Sequence, residues 1–142
     1  MRASYGFRRS WTVAAPVDTV RDVLVDLERY PEWWPQVLAV AKLTDDDARV
    51  LCRSTLPYTL DVVLHAVRRQ DRLLEIAMTG DLSGTALWEL TPEPGGTRLD
   101  FRQDVVVDGW LAALTPLLRP VLRWNHERMM TGCLDGLRAR VA

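Results

Sequence analysis

The C-terminal stretch, residues 109–142, constrains the fold most, because its pattern is that of one long amphipathic helix. Arg119, Arg123 and Glu127 fall on one side of this helix, and the last two are spaced to pair one turn apart. Apolar residues recur on the opposite side at spacings of three and four: Leu111, Leu114, Leu118, Leu122, Met129 and Cys133. We therefore expect a helix with one apolar face that other elements must cover.

The ends and the glycines of this helix carry further expectations. Thr115 and Pro116 have the pattern of an N-cap followed by a first-turn proline, and Pro120 is expected to kink the helix because it lacks an N–H. Gly132 and Gly136 lie on the buried side, where each costs about 1 kcal/mol of helix stability relative to alanine. Either they let another element pack closely, or they leave room for a ligand.

Composition limits the function classes. A chain of 142 residues predicts a single domain, residues 1–142, and a net charge of -1 disfavours a nucleic-acid binder. No apolar run approaches the roughly 18 residues that span a bilayer, so stable membrane insertion is not expected. Cys52 and Cys133 lack the spacing of a metal site or a disulfide framework. We expect two reduced, buried thiols in a cytoplasmic protein, and we predict no metal and no cofactor.

The N-terminal part predicts a strand followed by two short helices. Phe7, Trp11 and Val13 alternate with polar residues, which indicates a strand, and Pro16 then opens an amphipathic helix. The segment 30–35 interrupts that helix, and we expect a short second helix that starts near Pro31.

The middle of the chain predicts six more strands. Turn-forming residues separate strand-like runs at residues 38–43, 49–55, 58–67, 72–79, 84–91 and 97–107. Alternation assigns the following residues to an inner face: Leu60, Val62, Leu64, Leu74, Ile76, Met78, Trp88, Leu90, Leu99, Phe101, Gln103 and Val105. The prediction is an α+β fold in which a curved, seven-stranded antiparallel sheet wraps around the long C-terminal helix. Such a fold tends to enclose a cavity between sheet and helix.

Three stretches carry a resemblance to a known family. These are residues 15–20 (APVDTV) leading into 27–35 (LERYPEWWP), residues 80–85 (GDLSGT), and residues 129–138 in the last helix. With this order of elements, the chain resembles the START/SRPBCC superfamily, whose fold is the helix-grip, and within it the polyketide cyclase/dehydrase-like and coenzyme-Q-binding-like single-domain proteins. The resemblance implies a hydrophobic cavity between sheet and C-terminal helix, with its mouth near the loops and the short second helix.

The candidate ligand-binding residues are mostly apolar: Trp33, Trp34, Leu64, Ile76, Met78, Trp88, Phe101, Leu122 and Met129. The inner surface is also expected to include Trp11 and Leu118. Gln103 and Asn125 are the polar exceptions, and a buried amide needs partners. Each therefore contacts either the ligand or the local backbone. Trp33 and Trp34 either form a lip of the cavity or pack the short helix onto the sheet.

The candidate catalytic residues are Arg53 and His126. Arg53 would polarise an enolate or phenolate if it pointed inward, although an arginine on a short strand is more often solvated. His126 lies beside the buried stripe and is a possible general acid or base, whereas His65 shares a polar face with Asp61.

Three functions remain open at this point. The first is a protein that binds an aromatic, polyketide-like or lipid-like molecule. The second is an aromatase/cyclase-like or dehydratase-like enzyme acting on a polyketide-type substrate, and the third is a ubiquinone-type carrier or chaperone. In each case we expect a monomer or a homodimer whose partner is a hydrophobic small molecule.

Overall fold

The computed structural model describes residues 2–142, and the side chains of all of these except residues 2, 3, 108, 110, 111, 114 and 115. In chain order the elements are β1 (Arg2–Val13), α1 (Val17–Val25), a 3₁₀ helix (Leu27–Glu32), β2 (Val37–Lys42), β3 (Asp47–Cys52), β4 (Leu60–Arg69), β5 (Leu73–Gly80), β6 (Ser83–Glu93), β7 (Gly96–Asp108) and α2 (Gly109–Val141).

The seven strands form one antiparallel sheet in the order β1-β7-β6-β5-β4-β3-β2. Strands β2 to β7 follow one another as hairpins, whereas β1 pairs with β7 and leaves β1 and β2 as the two edges. The two short helices connect these edges, and α2 follows β7. This arrangement confirms the predicted helix-grip fold class.

Side chains alternate between the two faces of the sheet as the sequence pattern predicts. Leu64 lies opposite Met78 in the β4–β5 pair, and all but a few per cent of each side chain is buried. Trp88 lies opposite Phe101 in the β6–β7 pair, and their ring centroids are 4.6 Å apart. The concave face is therefore apolar, because period-two alternation sends every second side chain towards α2.

Helix α2 starts earlier than predicted. It begins at Gly109, directly after β7, and its backbone stays helical through Pro116 and Pro120. The predicted N-cap at Thr115 is therefore wrong. Gly109 has a φ of +66°, a conformation that glycine adopts without strain, and it lets the chain turn from strand to helix in one residue.

The buried face of α2 also differs from the prediction in its first half. Cys133 is fully buried as expected, and it lies in a seam with Met130, Leu134 and Leu137. Leu118, expected on the inner surface, is instead 37% exposed. Leu111 and Leu114 lie outside the described side chains. The charged face is not simply solvated either, because Glu127 pairs with Arg9 of β1 rather than with Arg123.

Gly132 and Gly136 are close packing contacts. A Cβ at Gly136 would lie 2.8 Å from the carbonyl carbon of Trp33 and closer still to its oxygen. A Cβ at Gly132 would lie closest to Oε1 of Gln36 and 2.7 Å from Cδ and Nε2 of the same amide. Among the described residues, this buried Oε1 has no hydrogen-bond partner. The two glycines therefore let the segment before β2 pack directly on α2.

The second short helix is a 3₁₀ helix that starts at Leu27, not near Pro31. The break falls at Asp26, whose ψ of 75° is not helical, and Pro31 lies inside the 3₁₀ helix. Pro31 is tolerated there because the following turn is closed by other N–H groups: Trp33 and Trp34 both donate to the carbonyl of Tyr30.

Candidate functional site

A cavity of about 220 Å³ lies between the concave face of the sheet and α2. Its walls come from nearly every element, because the sheet curves around the helix and the 3₁₀ helix packs across one side. The sequence-predicted residues that line it are Trp34, Leu64, Ile76, Met78, Trp88, Phe101, Gln103, Leu122, Asn125, His126 and Met129. The structure therefore brings the predicted inner surface together around one space.

Two predicted site residues do not line this cavity. Arg53 follows the end of β3 and its side chain is exposed, so it is not placed to polarise a group in the cavity. Trp33 is buried at 7% exposure, but it packs between Tyr30, Trp34 and Gly136. Trp34 does reach the cavity, and its indole N–H donates to the carbonyl of Met129 at 3.0 Å.

His126 and Gln103 form a polar pair on the otherwise apolar wall. His126 Nε2 lies 2.7 Å from Gln103 Oε1, and the amide nitrogen of Gln103 donates to the sulfur of Met78 at 3.6 Å. A neutral imidazole with its proton on Nε2 donates to Gln103 in this geometry. The imidazole ring also stacks on Phe7, with centroids 3.6 Å apart and planes 15° apart. Met78 thus holds Gln103 and Phe7 holds His126, and both of these side chains also line the cavity.

The environment of His126 keeps its imidazole neutral. Burial lowers its pKa from 6.5 to about 4, and the positive charges of Arg9 and Arg123 act in the same direction. At neutral pH the side chain is therefore a hydrogen-bond donor at one nitrogen and an acceptor at the other.

Asn125 is held by backbone rather than left open to the cavity. Its Oδ1 accepts hydrogen bonds from the N–H groups of Thr55 and Leu56, at 2.9 and 3.1 Å. These bonds fasten the β3–β4 loop to α2. The pKa of Tyr58, which follows in that loop, is raised by burial, and a hydrogen bond to Asn125 opposes the rise. Asn125 and Tyr58 together form a second polar position on the cavity wall.

Strand β1 contributes two residues to this wall that the sequence prediction did not name, although it had placed Trp11 of the same strand on the inner surface. Tyr5 and Phe7 line the cavity, and they lie opposite Val105 and Gln103 in the β1–β7 pair. The alternation that places Phe7, Trp11 and Val13 on one face extends back to Tyr5, so the signal was present. To assign Tyr5 to the cavity from this alternation, one also needs the register between β1 and β7, which come from opposite ends of the chain.

Two arginines of α2 close the seam between this helix and edge strand β1. Arg119 Nη1 donates to the carbonyl of Ser4 at 3.3 Å, and Arg123 Nη1 donates to that of Gly6 at 3.4 Å. The guanidinium carbon of Arg119 lies 4.6 Å from the ring centre of Tyr5, and that of Arg123 lies 5.3 Å from the ring centre of Phe7. These are cation–π distances.

The remaining ionisable groups of the lining are paired or protonated. Arg68 and Glu75 form an ion pair at 3.2 Å among the lining residues of β4 and β5. Burial raises the pKa of Cys52 to about 11, so its thiol is not a nucleophile at neutral pH. Over the described residues, no group of three His, Cys, Asp or Glu side chains is arranged to hold a metal ion.

Comparison with known proteins identifies a family whose model matches this chain. The model of a family described as polyketide cyclase / dehydrase and lipid transport matches residues 6–142. A search of curated protein sequences finds no match.

Solved structures share the fold at low sequence identity. The Zhui aromatase/cyclase from Streptomyces sp. R1128 superposes with a TM-score of 0.80 at 17% identity, over 98% of this chain and 94% of that one. A START superfamily protein from Mycobacterium smegmatis gives 0.78 at 16% identity, over 96% of each chain. The di-domain ARO/CYC BexL from the BE-7585A biosynthetic pathway gives 0.77 at 17% identity, over 97% of this chain and 50% of its own.

Proposed function

Because the chain belongs to the polyketide cyclase/dehydrase and lipid transport family, we propose that it binds a hydrophobic small molecule, aromatic, polyketide-like or lipid-like, between its sheet and α2. The observation that carries this proposal is the cavity of about 220 Å³, whose lining is apolar apart from a few polar positions. An apolar space between sheet and helix gives a hydrophobic molecule a large contact area and leaves water few partners.

The size of the expected affinity follows from buried area. At about 25 cal/mol per Å², a ligand that buries roughly 200 Å² of apolar surface gains about 5 kcal/mol. Ordering costs reduce this gain. Hydrogen bonds to the His126–Gln103 pair and to Tyr58 then fix the orientation of the ligand, because such polar positions are few on an apolar wall. Since 5 kcal/mol corresponds to a Kd of roughly 0.2 mM, we expect affinities in the sub-millimolar range for small bicyclic aromatic compounds.

The first test is native mass spectrometry of the purified protein, with organic extraction of any molecule that it carries. An Ala86→Phe variant tests whether the bound molecule lies in this cavity. Ala86 is buried on the concave face of β6 and lines the cavity, so a phenyl ring there occupies the ligand space. Thr85→Phe adds the same ring on the exposed side of the same strand.

The expected result is a co-purifying hydrophobic molecule in the wild type and in Thr85→Phe, absent from Ala86→Phe. When no molecule co-purifies, titration of the three proteins with 2-naphthol, followed by tryptophan fluorescence, asks the same question. Equal binding of 2-naphthol by all three proteins, or binding by none of them, contradicts a ligand site in this cavity.

A second candidate function is an aromatase/cyclase-like enzyme, and the observation that favours it is the His126–Gln103 pair in an apolar cavity. The N–H of the neutral imidazole donates to Gln103, so its other nitrogen is the atom left to accept a proton from an acidic carbon of a substrate. However, a pKa of about 4 makes His126 a weak base at neutral pH, since proton transfer is most effective when the pKa lies near the working pH. Binding therefore ranks above catalysis.

The two candidates differ in what a His126→Gln variant does. This variant retains hydrogen bonding to Gln103 but cannot exchange a proton. A binder keeps its ligand affinity within a few-fold, whereas a cyclase loses turnover of a poly-β-ketone substrate by about 100-fold or more. Product formation followed by liquid chromatography, beside the binding titration, separates the two.

A further inference from the structure

Aromatic rings form the wall of the cavity where β1 meets α2. Tyr5, Phe7 and His126 line the cavity there, and the rings of Phe7 and His126 are stacked on each other. Outside the first two rings lie the guanidinium groups of Arg119 and Arg123, at the cation–π distances given above. We call these five residues the arginine-backed wall.

The charge behind this wall is positive. Arg9 lies on the same seam, and its ion pair with Glu127 accounts for the one carboxylate that α2 places there. Asp104 is the next carboxylate, close to Gly6 on the outer side of β1, but it pairs with Arg102 at 3.0 Å. Among the described side chains, three arginines therefore face one glutamate across the seam. At the β4–β5 part of the lining, by contrast, Arg68 and Glu75 balance each other.

This positive charge acts on whatever occupies the cavity. Aromatic rings and aliphatic side chains screen charge much less than water does, so a guanidinium one ring away is felt strongly inside an apolar space. The hydrogen bonds of Arg119 and Arg123 to the β1 carbonyls hold both charges in place. The charge is therefore a fixed part of the site.

We propose that the arginine-backed wall makes the cavity select hydrophobic ligands that carry a negative group, a carboxylate or an acidic phenol or enol, with that group oriented towards Phe7 and His126. This inference rests on the proposed function, because it assigns a ligand class to the same cavity. The amide nitrogen of Gln103, which His126 orients, contributes a hydrogen-bond donor at the wall, and the arginines contribute the electrostatic preference. A cationic ligand of the same shape is disfavoured.

The test compares two ligands of one shape, 2-naphthoate and its neutral amide, 2-naphthamide. Affinities are measured by isothermal titration calorimetry at pH 7.5 and low salt for the wild type and for the double variant Arg119→Gln/Arg123→Gln. The matched control is Arg128→Gln, which removes one charge from an exposed position of the same helix. The double variant Arg119→Lys/Arg123→Lys retains the charge but not the guanidinium geometry.

We expect the double glutamine variant to lose about tenfold in affinity for 2-naphthoate relative to 2-naphthamide, the size expected of two partly screened charges. Arg128→Gln changes this ratio less than about twofold, and the double lysine variant retains most of it. Added salt reduces the wild-type preference. An affinity ratio that stays unchanged in the double glutamine variant, or that falls equally in Arg128→Gln, overturns the proposal.

Failure of this inference is distinguishable from failure of the proposed function. If the wild type binds both naphthalenes and Ala86→Phe binds neither, the cavity is the site and only the charge preference is in question. If Ala86→Phe binds both probes as well as the wild type does, the proposed function fails and the ratio carries no meaning for the cavity. Thermal unfolding of each variant identifies any loss of affinity that comes from unfolding.

Discussion

Alanine at position 136 tests the packing of α2 against the segment before β2. The new Cβ would lie 2.8 Å from the carbonyl carbon of Trp33 and 3.4 Å from its ring carbon Cε3. The obstacle is mainly backbone, which cannot rotate away as a side chain can. Helix propensity alone predicts that Gly136→Ala stabilises the protein by about 1 kcal/mol. Overpacking costs about 1–3 kcal/mol, and the upper end applies here because the obstacle is backbone. After the gain of about 1 kcal/mol in helix propensity, we expect a net loss of about 2 kcal/mol.

Gly132→Ala is the matched comparison on the same helix. Its Cβ would meet the side-chain amide of Gln36, 2.7 Å from both Cδ and Nε2. The Gln36 side chain can rotate away, and its buried Oε1 can then accept a hydrogen bond in its new position. We therefore expect Gly132→Ala to change the free energy of unfolding by less than about 1 kcal/mol, because helix propensity offsets the displacement.

Urea unfolding followed by tryptophan fluorescence measures both variants. The expected order of stability is wild type, then Gly132→Ala close to it, then Gly136→Ala well below. A Gly136→Ala protein as stable as the wild type would refute the reasoning, because it would mean that the Trp33 carbonyl does not fix the distance between this segment and α2.

Two further predictions concern buried titratable groups. The pKa of His126 is about 4 in the folded protein and 6.5 in the unfolded chain, so the unfolded chain binds more protons between these two pH values. The free energy of unfolding should therefore fall by up to about 3 kcal/mol as the pH drops from 6.5 to 4. A His126→Gln variant should lose that slope in urea unfolding, and an unchanged slope would contradict the assignment. Burial raises the pKa of the Cys52 thiol to about 11 and that of Cys133 further, so neither should react with iodoacetamide at pH 7.5 until the protein unfolds. Rapid modification in the native state, detected by mass spectrometry, would show that these thiols are accessible.

Most of the fold follows from local patterns in the sequence. Alternation with a period of two assigned Leu64, Met78 and Phe101 to the concave face, because a strand sends every second side chain to the same side. The same physics explains why most of the predicted cavity residues line one space. The long C-terminal helix was recognisable because it has to cover that apolar face.

The sequence prediction was wrong where a local pattern competed with contacts made elsewhere in the fold. Thr115 and Pro116 have the composition of a helix start, yet the helix begins at Gly109, where a positive φ allows the turn out of β7. Arg53 was a candidate because its strand could extend to Thr55, but β3 ends at Cys52 and the side chain is exposed. Strand ends depend on hydrogen bonds to neighbouring strands, which a single segment does not encode.

The sequence by itself determined that an apolar sheet face must be covered by an amphipathic helix, because burial of apolar side chains drives that arrangement whatever the details. Only the tertiary structure decided how the polar residues are used. The bond between His126 and Gln103, the backbone partners of Asn125, and the arginines behind Tyr5 and Phe7 each join residues far apart in the chain. Such contacts depend on strand register and helix placement, and these are set by the packing of the whole domain.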